Sequence, residues 1–185
     1  MSLRLSLLRH GETERGGGFR GSLDDALTAT GWAQMRAAVQ GQGPWDRVIS
    51  SPLQRCARFA ETLGLPLAYA PGLRELHFGD WEGLSAAAVH AQYEAELGQF
   101  WADPYAFTPP NGEPLQAFAQ RVEQALQGLA QQYAGEHLLL VTHGGVIRLL
   151  LCAARGLAPG RLLDVNVGHG ALFTLAGEPG QWQEV

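Results

Sequence analysis

Leu3, Leu5 and Leu7 alternate with polar residues and Leu8 follows, a period of two that predicts a strand with at least one buried face. It runs straight into Arg9-His10-Gly11. Arg47-Val48-Ile49-Ser50 predicts a second, short strand, and Leu67 to Ala70 a third. Leu138-Leu139-Leu140-Val141, within His137 to Thr142, is wholly apolar, as in a strand covered on both faces. Ala171 to Leu175 and Trp182 to Val185 predict a late strand and an edge strand. The helical period appears between them. A helix is expected from near Thr28 to about Val39, broken by Gly41-Gln42-Gly43-Pro44. Another is expected with Ser51 as its cap, Pro52 as its first residue and Gly64 as its stop. Val89, Tyr93 and Leu97 recur every four residues, and Leu115, Phe118, Val122, Leu126 and Leu129 mark a long amphipathic helix ended near Gly135. A last helix is expected from Val146 to about Arg155, while Leu73 to Gly83 and Asp103 to Gly112 read as loop.

Strands alternating with helices predict an α/β fold, a three-layer α/β/α sandwich with a mostly parallel central sheet. At 185 residues the chain fits one domain, residues 1–185, and shows no repeat or linker. No apolar run approaches the roughly 18 residues of a membrane helix, and the N-terminus lacks the pattern of a signal peptide.

Composition removes several classes of function. The net charge of −5 argues against general nucleic-acid binding. All 13 basic residues are Arg, so a phosphate-loop lysine and a Schiff-base lysine are both excluded. Cys56 and Cys152 are isolated and read as small core hydrophobes, which suits a reducing cytoplasm. Gly16, Gly18 and Gly21 formally match GxGxxG, but the run starts too late after the strand and leads into Asp24-Asp25, so it reads as a flexible rim loop.

Ligands of open α/β sheets bind just beyond the carboxyl ends of strands. Three such ends deliver polar groups to one edge: Arg9 and His10, then Arg55, then His143. Taken singly, an Arg is most often a surface residue and a His a hydrogen-bonded structural one. Together, two imidazoles and two guanidinium groups need an anion between them. Arg forks match phosphate oxygens, and the helix N-terminus after His143 adds N–H groups and a favourable dipole.

Arg9-His10-Gly11-Glu12-Thr13 resembles the RHGET signature of the histidine phosphatase (phosphoglycerate mutase-like) superfamily. Leu27-Thr28 with Gly31 and Gln34, Ser50-Ser51-Pro52-Leu53-Gln54-Arg55, Glu75 with Phe78-Gly79-Asp80-Trp81-Glu82-Gly83, and Val141-Thr142-His143-Gly144-Gly145 resemble further segments of that family, in its order. The resemblance implies a phosphoglycerate mutase-like sandwich. It implies His10 as nucleophile carrying a phosphohistidine, with Arg9, Arg55, His143 and Gly144 around the phosphoryl group and Glu75 protonating the leaving oxygen. Read from the residues alone, Glu75 would pair with Arg74. Thr13, Arg20, Gly21 and Trp81 are expected to touch substrate, and Phe19, Trp81 and Phe107 either line a leaving-group pocket or are ordinary core or rim aromatics. Glu12, Asp80 and Glu82 are expected to be structural partners.

One departure stands out: the family's Asn three residues after the Thr of RHGET is Gly16 here, and Arg20 or loop N–H groups are candidates to replace it. Pro110-Asn111-Gly112-Glu113 with Phe118 and Arg121-Val122 looks like a stretch of α-ribazole phosphatases, which act late in cobalamin assembly. The substrate expected is thus a small-molecule phosphomonoester, α-ribazole phosphate being one candidate; a phosphoglycerate mutase or a broad sugar or nucleotide phosphatase is the alternative. A catalytically weak phosphate-ligand binder remains a reading from another class. A metallohydrolase using His10, Glu12 and His143 lacks supporting spacing and would set a cation beside two Arg. No GxSxG elbow exists for a serine hydrolase. No cofactor, metal, nucleic acid or membrane is expected to take part, and a homodimer is left open.

Overall fold

The computed structural model describes residues 1–185. Its strands are β1 Leu3–Arg9, β2 Arg47–Ser50, β3 Leu67–Tyr69, β4 His137–Thr142, β5 Leu172–Glu178 and β6 Gln181–Glu184. They form one sheet in the order β3-β2-β4-β1-β5-β6. The four strands from β3 to β1 are parallel, while β5 and β6 close the other edge antiparallel. Leu8 and Ser50 both pair with Val141, so β1, β2 and β4 end level. The chain leaves all three strands at one height, at His10, Ser51 and His143.

The pleat of β4 sorts its apolar run between two cores. Leu138 and Leu140 join Leu5, Leu7, Ile49 and Leu175 in the larger cluster, with α4 (Leu115–Gln132) and α5 (Gly144–Ala154). Leu139 and Val141 join Leu8 and Val48 in the smaller one, against α1 (Ala29–Val39) and α2 (Gln54–Ala60). A strand sandwiched this way has no polar face, which is why its sequence does not alternate. Removing any one of these buried leucines to Ala costs about 2–5 kcal/mol.

Thr28 caps α1 by accepting from Gly31 N at 3.0 Å, as its sequence predicts. The helix packs its first turn against the loop after β1. A Cβ on Gly11 would lie 2.2 Å from Gly31 O, and one on Gly31 would lie 2.1 Å from Glu12 O. Both glycines are needed for that approach. Gln34 Oε1 then accepts from Glu12 N at 2.9 Å, so the Leu27-Thr28…Gly31…Gln34 segment is a device that fixes the backbone following His10.

Three boundaries differ from expectation. The second helix begins at Gln54, not Pro52, and ends at Ala60 before a turn. Leu53, extended at φ −68° and ψ 140°, precedes it, and Ser51 does not cap it. The helix α3 (Ala86–Ala102) is interrupted at Tyr93, where φ −140° and ψ 46° leave the helical region. The last helix starts two residues early, at Gly144, directly after His143. Single 3-10 turns at Pro71–Leu73 and Gly79–Trp81 punctuate the loop that carries Glu75.

Candidate active site

His10 and His143 meet with ring centroids 5.3 Å apart and planes at 62°. Each is held at the end of a strand: His10 N donates to Thr142 O at 3.1 Å, which joins the two segments. The His10 Nδ1 lies 2.8 Å from Gly11 O. A carbonyl only accepts, so Nδ1 carries the proton and Nε2 keeps its lone pair. Both rings are buried, and burial, reinforced by the Arg55 cation, pushes their pKa values well below the usual imidazole range. Neutral rings follow at physiological pH.

Arg55 is fully buried, in the first turn of α2. Its Nη1 donates to Leu23 O and its Nη2 to Gly21 O at 2.7 Å, with Asp25 3.9 Å away. The loop that presents these carbonyls is itself pinned. Glu82 accepts from Gly21 N at 3.0 Å, Ser22 N at 2.9 Å and Phe78 N at 3.0 Å. Glu82 thus has the structural role expected of it, holding the loop whose carbonyls receive Arg55. Arg9 reaches Val167 O at 2.6 Å through Nη1. The Nε atoms of Arg9 and Arg55 and the Nδ1 of His143 are buried with no partner in the protein. Buried polar nitrogens normally have a partner, so three unmatched ones in a single cluster, two of them guanidinium donors, describe a cradle for an acceptor with several oxygens.

Glu75 borders this cradle, half-buried. Its Oε2 accepts from Gly145 N and its Oε1 from Leu76 N, both at 2.9 Å. It makes no ion pair with Arg74, which instead donates to Pro71 O. The two glycines that open α5 have a steric cause. A Cβ on Gly144 would lie 2.7 Å from Arg148 Nη1 and 3.2 Å from Arg9 Nε; one on Gly145 would lie 2.1 Å from Glu75 Oε1. A helix beginning so early therefore leaves room for Glu75 and Arg148 above its N-terminus. Arg121 fixes the Glu75 segment from behind. It forks onto Glu113 at 3.0 and 2.8 Å and donates to the carbonyls of Gly72, Arg74 and Glu75.

Of the remaining expected residues, Arg20 pairs with Asp25 at 3.3 Å and donates to Thr13 Oγ1 at 3.3 Å and to Gly16 O at 2.5 Å. Thr13 is buried and Gly21 serves through its backbone. The Gly-rich run is exposed at Gly16 to Gly18 and anchored at its far end, where Phe19 N and O bond to Leu84 O and Gly83 N and its ring packs on Phe78 and Trp81. Trp81 corrects its expected place. It has no exposed surface and stacks on Phe107 at 5.8 Å, flanked by Phe19, Tyr93 and Phe100, so it supports the site's wall from within. Glu12 turns to Thr28 Oγ1 at 2.8 Å, and His10, Glu12 and His143 do not form a metal-ligand group.

Sequence reasoning missed four neighbours. Asp25, buried, balances Arg20 and Arg55. Arg148 donates to Val165 O at 3.1 Å. Ser51 Oγ lies 2.7 Å from His143 Nε2. His169 brings a third ring to 5.8 Å from His10. Arg148 falls one helical turn after Gly144, a spacing that could have found it; the segment around Val165 to His169 has no periodicity to read. A small cavity of about 60 Å³ adjoins the site, lined by Glu75, Arg148, Phe78, Phe118 and Leu162 among others. The larger groove of about 750 Å³ between α4, α5 and Trp182 is lined mostly by glutamine and apolar side chains and lies away from the imidazoles.

The chain is similar to known proteins over most of its length. The profile described as "Histidine phosphatase superfamily (branch 1)" matches residues 5–185. The chain is 34% identical over 181 residues to the "Bifunctional protein Rv2228c" of Mycobacterium tuberculosis, covering 93% of this chain and 47% of that one. It therefore spans about half the length of that relative. It is 33% identical over 178 residues to the adenosylcobalamin/alpha-ribazole phosphatase of Escherichia coli, covering 91% and 87%. The crystal structure of the alpha-ribazole phosphatase from Shigella flexneri superposes with a TM-score of 0.82 at 30% identity, covering 98% of this chain and 94% of that one.

Proposed function

Because the chain belongs to the histidine phosphatase superfamily (branch 1), we propose that it hydrolyses a small phosphomonoester through a phosphohistidine on His10. The observation that carries this reading is the tautomer of His10. Nδ1–H donates to Gly11 O at 2.8 Å, and the bare Nε2 lies in the cluster of His143, Arg9 and Arg55.

In this reading the Nε2 lone pair attacks phosphorus in line as the ester P–O bond breaks. Charge spreads over the equatorial oxygens of a loose transition state. Arg9, Arg55 and His143 meet that charge with donors already fixed in place, which costs no reorganisation. The Glu75 carboxyl gives its proton to the leaving oxygen. Its two N–H bonds leave each oxygen a second lone pair for the proton this step hands on. Water then attacks the phosphohistidine, passes a proton to Glu75 and releases inorganic phosphate and neutral His10.

The substrate class follows from the relatives: α-ribazole 5'-phosphate is the first candidate, supported by the alpha-ribazole phosphatases of Escherichia coli and Shigella flexneri. Free thiols at Cys56 and Cys152 suit a cytoplasmic setting. The test is a panel of phosphomonoesters that includes α-ribazole phosphate and an aryl phosphate, run with wild type and His10→Ala. Wild type is expected to release phosphate with α-ribazole phosphate among the best substrates, and the folded variant to release none. Full activity in the variant would remove His10 as nucleophile; no turnover of any ester by wild type would remove the phosphatase reading.

A further inference from the structure

The two imidazoles must play opposite parts toward an anion. One supplies a lone pair to phosphorus; the other, set among phosphoryl oxygens, helps only by donating. A neutral ring has one N–H, so its tautomer decides which part it plays. For His10 the backbone carbonyl of Gly11 decides. For His143 no carbonyl or carboxylate touches the ring: Nδ1 is buried with no partner, and Nε2 lies 2.7 Å from Ser51 Oγ.

The hydroxyl of Ser51 has few other uses. Leu53 N–H points at Oγ from 3.4 Å, so that oxygen already accepts. Ser50 spends its own hydroxyl on Ser51 O at 2.8 Å. Ser51 is fully buried, so its hydrogen has no water to turn to. Nε2 of His143 is the one strong acceptor in reach. The other group beside Nε2 is Cys56 Sγ, at 3.7 Å; burial pushes this thiol up to about 12, so it keeps its proton and, at 3.4 Å, donates to Thr142 O. The thiol has one hydrogen and donates it there, so of the two neighbours of Nε2 only the Ser51 hydroxyl is left to donate to that nitrogen.

Resting on the phosphohistidine reading of the site, we infer that Ser51 is a positioning residue that fixes His143 as the Nδ1–H tautomer. Ser51 donates to Nε2; the ring's one proton is forced onto Nδ1; the unmatched Nδ1–H is then a ready donor for the phosphoryl group. The reverse tautomer would leave the Ser51 hydrogen only the weakly accepting Cys56 sulfur and turn a lone pair on Nδ1 toward the anion. Burial and Arg55, which together keep His143 neutral, make the choice of tautomer matter; a protonated ring would donate from both nitrogens.

The test reads the tautomer itself. Long-range proton–nitrogen spectra of the whole protein, with the His143 signals assigned against His143→Gln, are expected to show a protonated Nδ1 and a bare Nε2 at neutral pH, with and without inorganic phosphate. In Ser51→Ala, proton density is expected to move to Nε2, and kcat/KM for an aryl phosphate to fall on the order of 10- to 100-fold, the loss typical of removing the partner that orients a histidine. A protonated Nε2 in wild type overturns the inference, as does a Ser51→Ala protein that keeps the Nδ1–H tautomer. The spectrum needs no turnover, so it stands or falls separately from the covalent route through His10.

Discussion

Arg121 separates a substrate reading from a structural one. The Pro110…Glu113…Phe118…Arg121 run resembles α-ribazole phosphatases, and a contact with substrate is the competing role for Arg121. The geometry assigns Arg121 to the Glu75 segment instead. Its guanidinium makes a two-pronged pair with Glu113, both partners less than a quarter exposed, and three bonds to backbone carbonyls, and it lies 4.9 Å over the Phe118 ring. Arg121→Ala removes all of these. The ion pair, partly open to water, contributes about 1 kcal/mol. Stranding the part-buried carbonyls costs about 1–2 kcal/mol in all after solvent relieves some of it, and the ring contact about 0.5–1 kcal/mol. The expected loss of stability is thus about 3 kcal/mol in urea unfolding. Glu75 keeps its Gly145 N–H anchor but loses the bond on its own carbonyl. We expect kcat for an aryl phosphate and for α-ribazole phosphate to fall together, about tenfold, with KM unchanged, since the cationic cradle is untouched. Arg121→Lys should behave similarly, because a point charge cannot fork onto Glu113 and reach three carbonyls. A variant of wild-type stability with KM raised for α-ribazole phosphate alone would refute this reasoning.

Two further outcomes follow from the same site. A denatured chain takes up protons on His10 and His143 near pH 6.5, whereas the folded protein resists until well below that, so their contribution to stability is complete above about pH 6.5 and is lost as pH falls. Urea midpoints should therefore drop on acidification below pH 6.5, with each ring adding up to about 1.4 kcal/mol per pH unit, and a flat profile would contradict neutral buried rings. Gly145→Ala should leave stability within about 1 kcal/mol of wild type, since Ala suits a helix better. Its Cβ must displace the Glu75 carboxylate, which stands 2.1 Å from that position, so kcat should fall; unchanged kcat would remove Glu75 from the chemistry.

The sheet was legible because its strands carry strong patterns. Leu3 to Leu8 alternates and the β4 run is wholly apolar, and both shapes follow from which faces are covered. Arg9, His10, Arg55 and His143 were legible because they lie at strand ends or in the helix turn that follows one, and chain topology brings such positions to one edge. Helix starts were less so. Ser51-Pro52 reads as a cap and first turn, yet Ser51 is drawn into the site by His143 and the helix waits until Gln54. Gly144 and Gly145 lie before the start expected at Val146, yet they open α5, and they are glycines because Arg148, Arg9 and Glu75 side chains occupy the space a Cβ would need. Trp81 sits in a motif shared with enzymes, which suggests substrate contact; the aromatic packing around it decides otherwise. Asp25 and His169 reach the site through tertiary contacts that no local period encodes.

The central claim is a covalent bond between phosphorus and Nε2 of His10. Rapid-quench mixing of the protein with a radiolabelled phosphomonoester tests it most directly. An acid-labile, base-stable label on the peptide containing His10, appearing before free phosphate and absent from His10→Ala, is the predicted result. Steady turnover by wild type with no labelled peptide at any quench time, or a label carried on another residue, would contradict it.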